Sequence, residues 1–179
     1  MITCKLPHNL LFILKRVLCV LLFFCIENSL FAQTVQVPEN IQAALLSKVL
    51  KFNQDLQKTA NIKILVVYNK NLEINRDNFI NGLDESISVK AIKPIELEKN
   101  ISDYKVVYFM SGLNKEAILC KKHKVLSVTG TNQYVENGEI SLGFKVENNK
   151  PRIVMNLTSL EKEEQFFSSD ILRISKIFK

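Results

Sequence analysis

The sequence predicts an α/β protein: an open mixed β-sheet with helices on both faces, its C-terminal part a β-hairpin followed by a terminal helix or helix pair. Three observations carry this. The runs Ile62–Tyr68, Tyr104–Met110 and Val125–Gly130 are short and almost continuously apolar, the pattern of strands covered on both sides. Segments of helical periodicity stand between apolar runs, as parallel neighbours joined by right-handed crossovers require. Near the C-terminus, "EISLGFKVENNKPRIVMNL" alternates like two paired strands around a turn.

Taken in order, "VPENIQAALLSKVLKFNQDL" places Ile41, Ala44, Leu45, Val49 and Phe52 at helical spacing, with Pro38 suited to a helix start. Ile62–Tyr68 is the first strand. Asp77 to Glu85 reads as a short helix. Ile87 to Ile92 alternates and stops before Pro94, which marks an outer strand. Tyr104–Met110 follows as a strand, then "SGLNKEAILCKKHK" as a turn and a helix, then Val125–Gly130. In the hairpin Ile140, Leu142, Phe144 and Val146 share one face, and Asn148-Asn149 turns the chain towards Ile153 and Met155. Thr158 with Glu161 has capping-box spacing, so the last helical segment is expected to start there.

Residues 1–32 read as a cleaved secretory signal peptide. Lys5, Lys15 and Arg16 precede the apolar core Val17–Ile26, and a small residue, Ala32, offers the cut. That core is too short for a membrane span, which needs ~20 residues. The chain is therefore expected to be exported, with residues 33–179 forming a single domain. Lys5, Lys15, Arg16 and Glu27 leave with the signal, so the formal charge of +6 falls by two. The remaining lysines are scattered and no basic–aromatic interleaving occurs, which argues against nucleic acid as a partner. Cys4, Cys19 and Cys25 also leave. Cys120 alone remains, so no internal disulfide can form, and its apolar surroundings suggest a buried structural thiol.

The catalytic inventory is thin. After the signal the only histidine is His123, within "CKKHK" at an expected helix end, where a solvent-facing cation suits the dipole. One His and one Cys do not make the three- or four-ligand set of a zinc site. The five glycines form no GxGxxG or P-loop pattern. The acidic cluster "EKEE" reads as a solvated helix face. Ser168-Ser169-Asp170 sits in an apolar run. On a continuous helix its three members face three directions, with Phe167, Ile171, Ile174 and Phe178 as the apolar stripe. If the helix breaks near Phe166, Ser168 or Ser169 becomes an N-cap and Asp170 sits in the first turn. Both arrangements are structural. The expectation is a protein that is not an enzyme and uses no metal or cofactor.

The same C-terminal residues resemble the YfiR (HmsC-like) family of periplasmic regulators. Its pattern is a strand ending in Asn-Leu, a short helix, then hydrophobic-Ser-Ser-x-Leu-Leu-x-Leu. Here Asn156-Leu157 is followed at the same spacing by Phe167-Ser168-Ser169-Asp170-Ile171-Leu172-Arg173-Ile174. The Gly-Gly-Met-Ile opening of a hairpin strand is matched by Gly138 and Ile140, with Glu139 at the second glycine. "IQAALLSKVLKF" is similar to the family's first helix. The family's tryptophan and paired cysteines are missing, and its glycine between the C-terminal helices is Glu164 here.

The resemblance implies a non-enzymatic sensor. Such a protein holds an inner-membrane signalling protein inactive through that protein's periplasmic part, and the target is of diguanylate cyclase or sensor kinase type. It is compatible with a homodimer. Asp170, Arg173 and Lys176 offer one candidate contact face. The alternative is an exported small-ligand-binding module serving a transport or sensor system. In an open α/β sheet such a ligand sits at the carboxyl ends of the strands. The residues expected there are Asn69, Ser111, Gly112, Asn114, Thr129, Gly130, Thr131 and Asn132, whose backbone N–H groups could meet an anion.

Overall fold

The computed structural model describes residues 36–59 and 61–179, so the expected signal peptide lies outside the described residues. Seven strands form one sheet in the order β2-β1-β3-β4-β5-β6-β7. The first five strands, β1 (Ile62–Val67), β2 (Ile87–Ile92), β3 (Val106–Phe109), β4 (Leu126–Thr129) and β5 (Leu142–Glu147), run parallel. β6 (Lys150–Asn156) returns antiparallel to β5, and β7 (Lys176–Phe178) pairs parallel to β6. The sheet is thus open and mixed. β2 is an edge strand, as its stop before Pro94 indicated. The helices are α1 (Glu39–Val49), α2 (Glu73–Asn81), α3 (Leu97–Asn100), α4 (Ile118–His123), α5 (Asn132–Glu136), α6 (Leu157–Lys162) and α7 (Ser169–Ile174). Among the described residues no helix is long and apolar enough to cross a membrane.

Pleat alternation assigns the two faces. Phe79 of α2 stacks on Tyr108 of β3, with ring centroids 3.7 Å apart. Val128 is paired with Tyr108 and shares its side, so Ser127 points to the opposite face. There it meets Glu163, just beyond α6. β1, β3 and β4 are buried from Ile64 to Val67, Val106 to Phe109 and Leu126 to Thr129, as their apolar runs predicted. The hairpin turns at Asn148 and Asn149, with φ of 52° and 58°. Two consecutive positive φ values mark a turn that follows the right-handed twist of its strands.

Several local expectations are corrected. α1 buries Gln42, Ala43, Leu46 and Val49, whereas Ile41 is 40% exposed and Ala44 faces solvent. A polar residue, Gln42, lies on the buried face, so hydrophobicity alone placed the stripe one residue off. α2 starts at Glu73 rather than Asp77. α3, α5 and β7 were not foreseen, because each is too short to show a period. α6 starts at Leu157, capped by Asn156, whose Oδ1 accepts the Ser159 N–H at 3.0 Å; the Thr158–Glu161 capping box does not form.

The C-terminal part is a helix pair. The chain turns between α6 and α7 at Glu164, which takes the left-handed conformation at φ 53°, the position where the resembling family has glycine. Phe167 and Ile171 are buried, but Ile174 is 61% exposed and Phe178 lies on β7, so the expected single stripe is divided. His123 is half-buried rather than solvent-facing, and its Nδ1 lies 3.5 Å from Ser102 Oγ. The "EKEE" segment is not uniformly solvated, because Glu163 is fully buried. Cys120 is buried, in line with a structural thiol.

Candidate functional site

The chain leaves β1 for β2 on one side and then returns past β1 to β3 on the other. Adjacent connections therefore diverge between β1 and β3, which opens a crevice at the carboxyl ends of the strands. A cavity of about 70 Å³ lies at this edge. Gln36, Glu39 and Gln42 reach it from the start of α1, Leu72 and Asn75 from the α2 region. Tyr108, Met110 and Ser111 line it from β3, and Gly130 and Thr131 from the end of β4.

Its inner wall is held by hydrogen bonds. The Tyr108 hydroxyl donates to Gln42 Oε1 at 2.5 Å, and Gln42 Nε2 donates to the Val37 carbonyl at 2.5 Å. Both side chains are 2% exposed, so neither can turn to water instead. Gly130 closes the arrangement: a Cβ there would lie 2.6 Å from Gln42 Nε2, so a larger residue would displace the Gln42 amide from its hydrogen bonds. Burial pushes the Tyr108 phenol far up, and the nearby Glu39 charge adds to the shift, so Tyr108 remains a neutral donor. Asn75 Nδ2 donates to Glu39 Oε1 at 2.5 Å and ties α2 to α1. Among the described residues the sole charged side chain of the lining is Glu39. Nearby, Tyr68 is flanked by Arg76 at 4.4 Å and Lys93 at 3.7 Å from its ring centre. These cations pair with Asp77 (2.7 Å) and Glu73 (3.6 Å).

Of the residues expected at the strand ends, Ser111, Gly130 and Thr131 come together in this cavity. Thr129 lies beneath it, donating to the Phe109 carbonyl at 3.1 Å and accepting the Thr131 N–H at 3.2 Å. Asn69 is exposed before the turn Lys70–Leu72. The Gly112 N–H donates to the Tyr134 hydroxyl at 3.3 Å. Asn114 bonds to Glu139 in a separate hollow with Lys115, Ile118 and Lys121, and Asn132 bonds to Glu136 within α5. Glu39, Gln42, Asn75 and Tyr108 were not foreseen. Their one signal was a glutamine and a tyrosine inside otherwise apolar patterns.

The family-pattern residues are joints between elements. The Gly138 carbonyl accepts from Ser159 Oγ (2.7 Å) and Lys121 Nζ (2.9 Å). Asn156 caps α6 and donates from Nδ2 to the Val135 carbonyl at 3.2 Å. Ile140 is buried, while Leu157 and Leu172 are half-buried against the core. Ser168 precedes α7 and its N–H donates to the Phe52 carbonyl at 2.9 Å; Ser169 is the first helical residue. Asp170 pairs with Arg173 at 2.7 Å on exposed surface, whereas Lys176 lies on β7, 3.5 Å from Glu147.

A second polar cluster lies on the other face. Glu163 Oε2 accepts the Ser127 N–H at 3.0 Å and Oε1 accepts Ser127 Oγ at 2.5 Å. Ser127 Oγ in turn accepts the Ser141 N–H at 2.9 Å. Burial pushes the Glu163 carboxyl up to about 7 against the pull of these hydrogen bonds. The Cys120 thiol is driven well up by burial and by the charge of Glu163, the opposite of an activated nucleophile. Among the described residues no group of three His, Cys, Asp or Glu side chains could hold a metal ion.

A family profile described as YfiR/HmsC-like matches residues 39–176. No curated protein matches the chain. Several solved structures share the fold, and two of them illustrate it. One is an ABC domain in complex with L-Trp from Streptococcus pneumonia, with a TM-score of 0.58 and 10% identity over 79% of this chain and 60% of that one. The other is a conserved domain protein from Vibrio cholerae, with a TM-score of 0.53 and 16% identity over 82% of this chain and 61% of that one. This chain therefore spans less than two thirds of either.

Proposed function

The chain belongs to the YfiR/HmsC-like family, and from that premise we propose that it is a non-enzymatic periplasmic regulator. In this reading it binds the periplasmic part of an inner-membrane signalling protein, of diguanylate cyclase or sensor kinase type, and holds it inactive. The observation that carries the proposal is the family match, which runs from the start of α1 to the start of β7. The buried, high-pKa Cys120 and the structural use of Ser168, Ser169 and Asp170 agree with a role that needs no activated nucleophile. Repression would be relieved by a signal that binds the free and partner-bound forms with different affinity, since only a differential affinity moves such an equilibrium. Affinity capture of the tagged protein from native envelopes, after brief crosslinking, tests this. An inner-membrane signalling protein with a periplasmic domain is expected among the products; return of the tagged chain alone refutes the reading.

The cavity at the carboxyl ends favours a second reading, an exported small-ligand-binding module serving a transport or sensor system. The similar fold of a domain solved with L-Trp supports this only as an analogy of architecture. The two readings combine if the ligand is the signal.

A further inference from the structure

The lining of the switch-point cavity limits what can enter it. Among the described residues Glu39 is its sole charged side chain, and no lysine or arginine contributes. The cations at this edge, Arg76 and Lys93, are drawn onto the Tyr68 ring and paired with Asp77 and Glu73. An anion would meet the Glu39 carboxylate with no opposing charge.

Beside that charge the lining offers oxygen acceptors. Tyr108 is not among them, because its hydroxyl donates to Gln42 and its oxygen faces the Gly130 N–H. Glu39 accepts one bond from Asn75, which leaves its second oxygen. The Ser111 and Thr131 hydroxyls can each accept. An ammonium group brings three donors and no acceptor, which suits these oxygens and the Glu39 charge.

We propose that the cavity takes the ammonium head of a small primary amine, with Glu39 as counter-charge. The inference rests on the second reading above, that the domain binds a small ligand. Size and polarity set the rest of the ligand. The volume, about 70 Å³, is less than half of the ~150 Å³ that admits benzene. The head and one or two carbons fit inside against Leu72 and Met110, and a longer chain leaves past exposed Ser111. This reverses the sign of the ligand that the glycine- and hydroxyl-rich turns suggest when read alone.

Calorimetric titration and thermal melting of the purified protein with butylammonium, butanol and butyrate at matched ionic strength test the proposal. Butylammonium is expected to bind saturably and raise the melting temperature, and its two isosteres are not. Glu39→Gln keeps an oxygen for Asn75, so its unliganded melting temperature should stay near wild type. Its affinity for butylammonium should fall by about ten-fold or more, the loss of a charge-assisted hydrogen bond. Ser111→Phe, at the exposed rim, should block binding without touching Glu39. Equal affinity in Glu39→Gln, stabilisation by butyrate, or no saturable binding of butylammonium overturns it. Capture of the membrane partner is read separately with wild type and Glu39→Gln, so failure of the amine site and failure of the regulator reading are distinguishable.

Discussion

Glu163 should make the fold lose stability as the pH rises towards neutrality, and Glu163→Gln should abolish that loss. The carboxyl group is fully buried between the end of α6 and β4, and its folded pKa is about 7 against an ordinary 4.5. The folded chain therefore keeps a proton that the unfolded chain has released. The stabilisation from that proton is full below about pH 4.5, falls as the pH rises towards 7, and is lost above it. A carboxyl at about 7 rather than 4.5 corresponds to about 3 kcal/mol, a large part of a typical 5–15 kcal/mol. Ser127 opposes the shift by hydrogen bonding, and Lys121 by its charge, though its ammonium is engaged with Gly138; Cys120 stays protonated throughout.

Glutamine reproduces the protonated acid. Its oxygen can accept the Ser127 N–H, and its amide can donate to Ser127 Oγ, whose hydrogen can then turn to the unpartnered Ser141 Oγ. Urea unfolding of both proteins at pH 5 and pH 8 gives the measurement. Between these values wild type should lose about 2.5 kcal/mol relative to Glu163→Gln, because part of the effect is already present at pH 5. Background titrations common to both proteins cancel in the difference. Parallel pH profiles would refute the reasoning and place water or another proton at this carboxylate.

Other substitutions test the joints described above. Tyr108→Phe leaves Gln42 Oε1 without its donor and should cost ~1–2 kcal/mol by chemical denaturation. Asn156→Ala removes the α6 cap and the bond to Val135, so a loss of ~2 kcal/mol is expected in the same assay. Glu164→Gly relieves a left-handed conformation at the price of a more flexible unfolded chain, and a net gain of about 0.5 kcal/mol in thermal or urea unfolding should result. Cys120 should react with a thiol reagent only as fast as the fold opens, so labelling in native buffer should be slow and should accelerate in denaturant.

The sheet was legible because its strands are buried on both faces. Ile64–Val67 and Val106–Phe109 are unbroken apolar or aromatic runs, and Leu126–Thr129 admits Ser127 and Thr129 only because both are hydrogen-bonded, which leaves a mark no alternation could imitate. The hairpin was legible from Asn148-Asn149, since few residues adopt two positive φ values in succession. Elements of three to five residues, such as α3, α5 and β7, lack the length for any period to emerge. The site was half legible for a similar reason. Turn chemistry located Ser111, Gly130 and Thr131, but Glu39, Gln42 and Asn75 arrive from helices, and their meeting at the strand ends is set by packing. Gln42 even misplaced the apolar face of α1, because its side chain is buried by satisfying Tyr108 and Val37 rather than by being apolar.

The "EKEE" segment illustrates how one backbone event can invert a reading made from composition. After α6 the chain must swing back so that Phe167 can pair with Asn53, the residue that follows the first helical region. Glu164 makes that swing by taking φ 53° and leaves its carboxylate at the surface, 2.9 Å from Lys124. The same swing turns the preceding side chain inward, so Glu163 is delivered onto Ser127 beneath the sheet. Two adjacent glutamates thus end in opposite surroundings. One pairs weakly in solvent, where an exposed ion pair contributes ~0–1 kcal/mol. The other is desolvated and must hold a proton near neutral pH. The joint that orients α7 relative to the sheet is therefore also the place where the protonation state of the fold is decided. A change in pH near neutrality therefore acts on the connection between the two C-terminal helices.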